Sequence, residues 1–180
     1  MSAEPRILFL RGVNVGAHRK LPMAALRDLL GGLGLEGVQT HIQSGNAVFR
    51  DPQQRADLAG PISRAIGAAF PFTPEALVLD LSALQAVLAA NPYAVEGAED
   101  AAKVQIGFLG RASEAGTGAL AALATPRERF TLTAAAFYLH APDGIGRSKL
   151  AERAERLLGV PMTMRNQRVA EAVAQLAMGG

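Results

Sequence analysis

Cations cluster where an apolar strand gives way to a helix. After the run Ile7, Leu8, Phe9 and Leu10 comes "RGVNVGAHRK", residues 11–20, carrying Arg11, Asn14, Gly16, His18, Arg19 and Lys20. Free backbone N–H groups and the helix dipole make a helix start attractive to anions. Exposed cations at that end are unfavourable by about 0.3–1 kcal/mol each, and a bound anion reverses the sign. The stretch is no P-loop, and "GVNVG" is not the GxGxxG of a dinucleotide site. A solvated basic turn is the competing reading. The misfit recurs in "GIGRSKL", residues 144–150. There Gly146 permits close backbone approach, Arg147 and Lys149 carry charge, and Ser148 is a candidate N-cap without a capping-box Glu or Gln at Ala151.

Two further polar stretches stand at turns. "HIQSGN", residues 41–46, places Gln43, Ser44, Gly45 and Asn46 on a tight hairpin, and ordinary turn chemistry accounts for most of that pattern. In "MRNQR", residues 164–168, Arg165 and Asn166 mark a strand-to-helix junction, where Asn166 fits an N-cap. Other chemistries are set aside. His18, His41 and His140 are dispersed, with no HExxH spacing, so no metal site is expected. No serine lies in a GxSxG elbow. With no cysteine there is neither a disulfide nor a thiol nucleophile. The two tyrosines and absent tryptophan leave no base-stacking pair of the usual RNA-binding kind. No cofactor is expected, and no catalytic residue is assigned.

The 180 residues are 49% hydrophobic and 19% charged, enough for a real core. Fifteen of the eighteen basic residues are arginines, the side chain suited to gripping planar anions at two points. Coding bias toward arginine explains the excess equally well. The net charge of +2 is too small to argue for nucleic acid. The N-terminal residues do not read as a signal peptide, and no stretch approaches the roughly 20 apolar residues of a membrane span. A cytoplasmic protein without membrane attachment is expected.

The elements that must position these residues follow from periodicity. Residues 6–13 read as a strand buried on both faces. Met23, Leu26, Leu29, Leu30 and Leu33 have helical spacing behind Pro22, and Gly31, Gly32 and Gly34 close the helix. "VQTHI" and "AVF" form a hairpin around "SGN". A helix over 51–70, a strand "EALVL" and a helix "SALQAVLAA" follow. From residue 100 the order repeats: strand "KVQIGFL", helix "SEAGTGALAALA", hairpin "RFTLT"/"AFYLH", helix "SKLAERAERLL", strand "VPMTM", helix "NQRVAEAVAQLAM". The expected class is α+β, with two tandem ferredoxin-like βαββαβ halves of antiparallel sheet, each followed by an extra helix. The halves are residues 1–92 and 100–180, with 93–99 as the joint. In such a unit the first two strands run the same way, so the opening loop and the 43–46 turn fall at one end of the sheet.

The stretches "FLRGVNVG", "MAALRDLL", "IQSGNAVF", "YLHAPDGIGRSKL" and "MRN" resemble the bacterial family known as domain of unknown function 1697, over about residues 6–168. The resemblance implies two tandem ferredoxin-like units and no particular reaction. By motif it marks Arg11, Gly12, Asn14, Gly16, Gln43, Ser44, Gly45, Asn46, Gly146, Arg147, Ser148, Lys149, Arg165 and Asn166. The family pattern RNWNT with a following lysine is absent, because this chain has "RNQRVAEAVAQL". The leading expectation is a protein that binds a small phosphate- or carboxylate-bearing ligand in a basic Gly-rich cleft, with catalysis left open. Arg11, Arg19, Lys20, Arg147 and Lys149 would hold it, and Asn14, Ser44 and Asn46 would orient it. A nucleic-acid-associated protein using the same arginines on phosphates is the less favoured alternative. Sequence leaves the oligomeric state open.

Overall fold

The computed structural model describes residues 3–179. Among them are two four-stranded antiparallel sheets and seven α-helices. The first sheet holds β1 (Pro5–Leu10), β2 (Glu36–His41), β3 (Asn46–Arg50) and β4 (Ala76–Asp80), in the spatial order β2-β3-β1-β4. Helix α1 (Met23–Gly32) joins β1 to β2, α2 (Ala59–Ala69) joins β3 to β4, and α3 (Leu81–Ala89) follows β4 directly. The second sheet holds β5 (Val104–Leu109), β6 (Arg129–Leu132), β7 (Ala136–His140) and β8 (Met162–Asn166), in the order β6-β7-β5-β8. Its helices are α5 (Gly118–Leu123), α6 (Lys149–Leu158) and α7 (Gln167–Gly179). Helix α4 (Ala94–Glu99) occupies the stretch expected as the joint. Two compact units result: the residues up to Gln85 with those from Ala172 onward, and Ala86–Glu171.

The continuous apolar run of β1 behaves as its composition requires. Ile7, Leu8, Phe9 and Leu10 are fully buried between β3 and β4. Each contributes about 1.5–3 kcal/mol by leaving water. Leu8, Leu10 and Phe49 meet Leu26 and Leu30 of α1 and Ile62 and Ile66 of α2 in one core. Leu109, Phe137 and Leu139 do the same with Leu120, Leu150 and Leu158 in the second unit. Tyr138, buried on the other sheet face, donates its hydroxyl to the Val87 carbonyl at 2.7 Å.

Two helices are shorter than their sequence pattern. Residues 51–58 are not helical, because Asp51 accepts the backbone N–H groups of Gln53 and Arg55, and Gln54 takes φ +51°. That side chain offers the backbone an alternative to helical bonds, so α2 begins only at Ala59, with Pro61 in its first turn. Helix α5 loses the residues before Gly118: Ser113 accepts the Ala115 N–H and donates to the Leu158 carbonyl instead.

Candidate functional site

The loop after β1 is a miniature hairpin. The Asn14 N–H donates to the Arg19 carbonyl, and Val15 bridges His18. Gly12, Asn14, Gly16 and Arg19 all have positive φ, which sets the tight path. Asn14 holds the loop down. Its amide nitrogen donates to the carbonyls of Leu21 (2.8 Å) and Gln43 (2.5 Å), and its oxygen accepts the Leu21 N–H at 2.8 Å. Asn tolerates this left-handed conformation better than most residues.

Because β1 and β2 both run antiparallel to β3, the β2–β3 turn lies at the same end of the sheet as the β1 exit. The contact is direct. Leu10 donates its N–H to the Gly45 carbonyl at 2.8 Å. A Cβ on Gly45 would lie 2.7 Å from both Leu10 Cβ and Val13 Cγ2, so only glycine fits. Asn46 is wholly buried and donates to the His41 carbonyl and the Ser44 hydroxyl. Asn14 and Asn46 therefore spend their side chains on building the loops.

On the other side of the β1 exit lies a cavity of about 360 Å³ lined by Arg11, Gly12, Arg19, Thr73 and Glu75. Arg11 donates to Glu75 at 3.1 Å; both side chains are about half exposed, and such a pair is worth at most about 1 kcal/mol. The Arg19 guanidinium lies over the Phe72 ring, 5.3 Å from its centroid. A Cβ on Gly12 would come within 3.4 Å of Arg19 Nη1. Two guanidiniums thus face one carboxylate. Lys20 is exposed beyond them. Phe72, Thr73 and Glu75 were not singled out by sequence. Their signal is positional: β4 runs antiparallel to β1, so the Pro-flanked segment before it must arrive where β1 leaves.

The other candidates belong to the second unit. Gly146 and Arg147 lie in a 3-10 turn leading into α6, beside a cavity of about 380 Å³ that Ser148, Lys149, Glu152 and Met164 also line. Ser148 is the N-cap, accepting the Ala151 N–H at 3.0 Å. Glu152 in the first turn supplies the negative charge that a helix start favours. Arg165 does not join this cavity. Met164 lines it, and successive strand residues point to opposite faces. Burial lowers the Arg165 pKa to about 10, and its Nη1 donates to the Met164 carbonyl. Asn166 caps α7, accepting the Val169 N–H at 2.9 Å.

Two ionic networks lie away from these loops. Asp51 is buried and takes two nitrogens of Arg55, at 2.9 and 3.2 Å, besides its two backbone donors. The Arg55 side chain, above all, holds this carboxyl below the ordinary Asp range, with burial opposing. Arg55 also donates to the Leu33 carbonyl, fastening the end of α1. In the second unit Arg129 donates to Glu96, lies 3.1 Å from His140 Nδ1 and covers the Tyr93 ring. Its hydrogen bond is the main reason Glu96 titrates below its usual value.

Among the described residues no helix is long and apolar enough to cross a membrane, and no three His, Asp or Glu side chains are grouped as metal ligands would be. No curated protein matches the chain. A solved structure, the conserved bacterial protein SP0830 from Streptococcus pneumoniae, is similar in fold: TM-score 0.69 at 24% identity, over 97% of this chain and 98% of that one. The sequence pattern of the family described as protein of unknown function (DUF1697) matches residues 4–138, three-quarters of the chain, and the match takes in both the opening loop and the 43–46 turn. The chain belongs to that family.

Proposed function

We propose that this chain binds a small phosphate- or carboxylate-bearing ligand at the β1 exit, on a scaffold of two ferredoxin-like halves, 1–92 and 100–180, joined by 93–99. The strand orders β2-β3-β1-β4 and β6-β7-β5-β8 support the scaffold. The observation that carries the ligand reading is the convergence of Arg11 and Arg19 on one cavity, with glycine between them. An anion there replaces Glu75 as the partner of Arg11 and gains a second guanidinium from Arg19. Charge-assisted bonds of this kind are about twice as strong as neutral ones. Asn14, Ser44, Gly45 and Asn46 act by holding the loops, and Lys20 adds to the local positive field. Gly146, Arg147, Ser148 and Lys149 form a separate, weaker anion position at the start of α6.

Thermal shift and calorimetric titration with inorganic phosphate, sugar phosphates and small carboxylates test this. Ligand at 100 times Kd stabilises the fold by about 2.7 kcal/mol. Arg19→Ala abolishes the effect, while Arg64→Ala, on the exposed side of α2, leaves it intact. Equal responses in the two variants would refute the site. Oligonucleotide binding that falls steeply with salt and weakens for both variants would point to phosphate-backbone recognition instead.

A further inference from the structure

We propose that the loop end of the first unit docks an acidic polypeptide segment bearing an aliphatic side chain, so that the anion taken by the β1 exit is a carboxylate of that segment. This rests on the reading of the β1 exit as an anion site.

Two exposed apolar side chains stand on the loops at the same end of this sheet as the cations. Val15 is 65% exposed and Ile42 is 51% exposed. Their loops are bonded together, through Asn14 to the Gln43 carbonyl and Leu10 to the Gly45 carbonyl. Ile42 is the telling residue. It has φ +50°, where a β-branched side chain is a genuine outlier. Glycine or asparagine would hold the same turn at lower cost. Its side chain recovers only part of that cost from packing, because half of it faces solvent. A conformational cost repaid only in part inside the fold fits a functional surface.

Charge selects the occupant. His18, Arg19 and Lys20 are all exposed on the same loop as Val15, and Arg11 stands at its base. These favour an acidic partner. Glu75, in the same cleft as Arg11 and Arg19, disfavours a uniformly anionic surface such as a phosphodiester backbone or an anionic bilayer. A polypeptide supplies carboxylates for the arginines and N–H donors for Glu75. Phe72, the aromatic ring beside Arg19, lies under that guanidinium rather than open to a nucleobase.

The test measures binding of short fluorescent peptides by anisotropy: an aliphatic residue flanked by Asp and Glu, the same peptide with Ser replacing the aliphatic residue, and the same with Lys replacing the acids. Inorganic phosphate, phosphatidylglycerol vesicles and a single-stranded oligonucleotide are run beside them. The acidic aliphatic peptide is expected to bind, and the other two peptides at least tenfold more weakly. Ile42→Gly is expected to weaken that peptide about tenfold, the equivalent of half-burying one Ile side chain. The variant's thermal stability should hold or rise, because the turn relaxes. Loss of stability with unchanged peptide affinity would show Ile42 to be structural and overturn the proposal. Phosphate binding abolished by Arg19→Ala, with no peptide bound, overturns the docking surface and leaves the anion site standing. Failure of both phosphate and peptide removes both. Vesicles or oligonucleotide bound in place of peptide overturn the proposal in favour of that surface.

Discussion

Replacing Gly45 by alanine separates the two costs that hold the β2–β3 turn against the loop after β1. Gly45 has φ +79°, and its missing Cβ would stand 2.7 Å from Leu10 Cβ and from Val13 Cγ2. Both neighbours are buried core residues with nowhere to retreat. Alanine therefore meets a left-handed backbone penalty of about 1–2 kcal/mol and an overpacking penalty of about 1–3 kcal/mol. A total near 3 kcal/mol lowers Tm by roughly 6–12 °C in a chain of this size. The control is Gly16→Ala. Gly16 has φ +60° but nothing within 4 Å of a Cβ, so it carries the backbone penalty alone, about 1 kcal/mol. Urea unfolding of the two variants, compared at unchanged slope, reads the difference directly. The expected gap is about 2 kcal/mol. A gap below about 0.5 kcal/mol would mean that the two loops are not packed as described, and the geometry of the β1 exit would fall with it.

Asn14→Ala removes three side-chain hydrogen bonds and puts alanine at φ +54°, a loss of about 3 kcal/mol; Asn14→Gly recovers about 1 kcal/mol of it by accepting the backbone. Hydrogen exchange at the Leu21 amide should accelerate in both, and protection retained in Asn14→Ala would contradict the strut. Asp51→Ala takes the carboxylate partner from Arg55, which keeps its bond to the Leu33 carbonyl, and from two backbone donors, and costs about 3 kcal/mol by urea unfolding. Because the folded Asp51 pKa is depressed, its contribution is present above the ordinary Asp value near 3.8 and is lost as pH falls through the lower folded value. Asp51→Asn should therefore flatten the acid limb of the stability curve below about pH 4. A wild-type acid limb unchanged by that substitution would show that Asp51 does not couple to folding.

Most of the element order was readable because it rests on burial pattern; helix α4, in the stretch read as the joint, was not. The four consecutive apolar residues of β1 fit a strand buried on both faces, and the leucine spacing of α1 fits one face of a helix. The caps of α6 and α7 were equally plain, since Ser148 and Asn166 sit where their oxygens meet the third N–H of the helix. Side-chain competition with the backbone was not readable. Nothing in "DPQQRAD" announces that Asp51 captures the N–H groups of Gln53 and Arg55 and delays α2 to Ala59. The candidate site was half legible for a related reason. Arg11, Arg19 and Gly12 stand together in sequence, whereas Phe72, Thr73 and Glu75 reach the same place only through the antiparallel arrival of β4.

The two basic loops looked like one device used twice, and the topology separates them. Residues 11–20 follow the first strand of their sheet, whereas 144–149 follow the third. First and third strands run antiparallel in both sheets, so these loops leave their sheets at opposite ends. The counterpart of 144–149 in the first unit is the stretch after β3, and there the buried Asp51 pairs with Arg55, which also bonds the Leu33 carbonyl. The counterpart of 11–20 in the second unit is the stretch after β5, where Ser113 bonds to the Leu158 carbonyl and Arg111 to that of Gly159. A shared strand order therefore does not carry a basic loop to the same strand exit. A cavity lies at one strand exit in each unit, and it is a different exit in each. The repeated cation-before-helix pattern loses its force as evidence, and α6 in any case carries its own Glu152 in the first turn. What remains for the β1 exit is specific to it: Arg11 and Arg19 lining one cavity with Gly12, and four left-handed residues, Gly12, Asn14, Gly16 and Arg19, within a single loop.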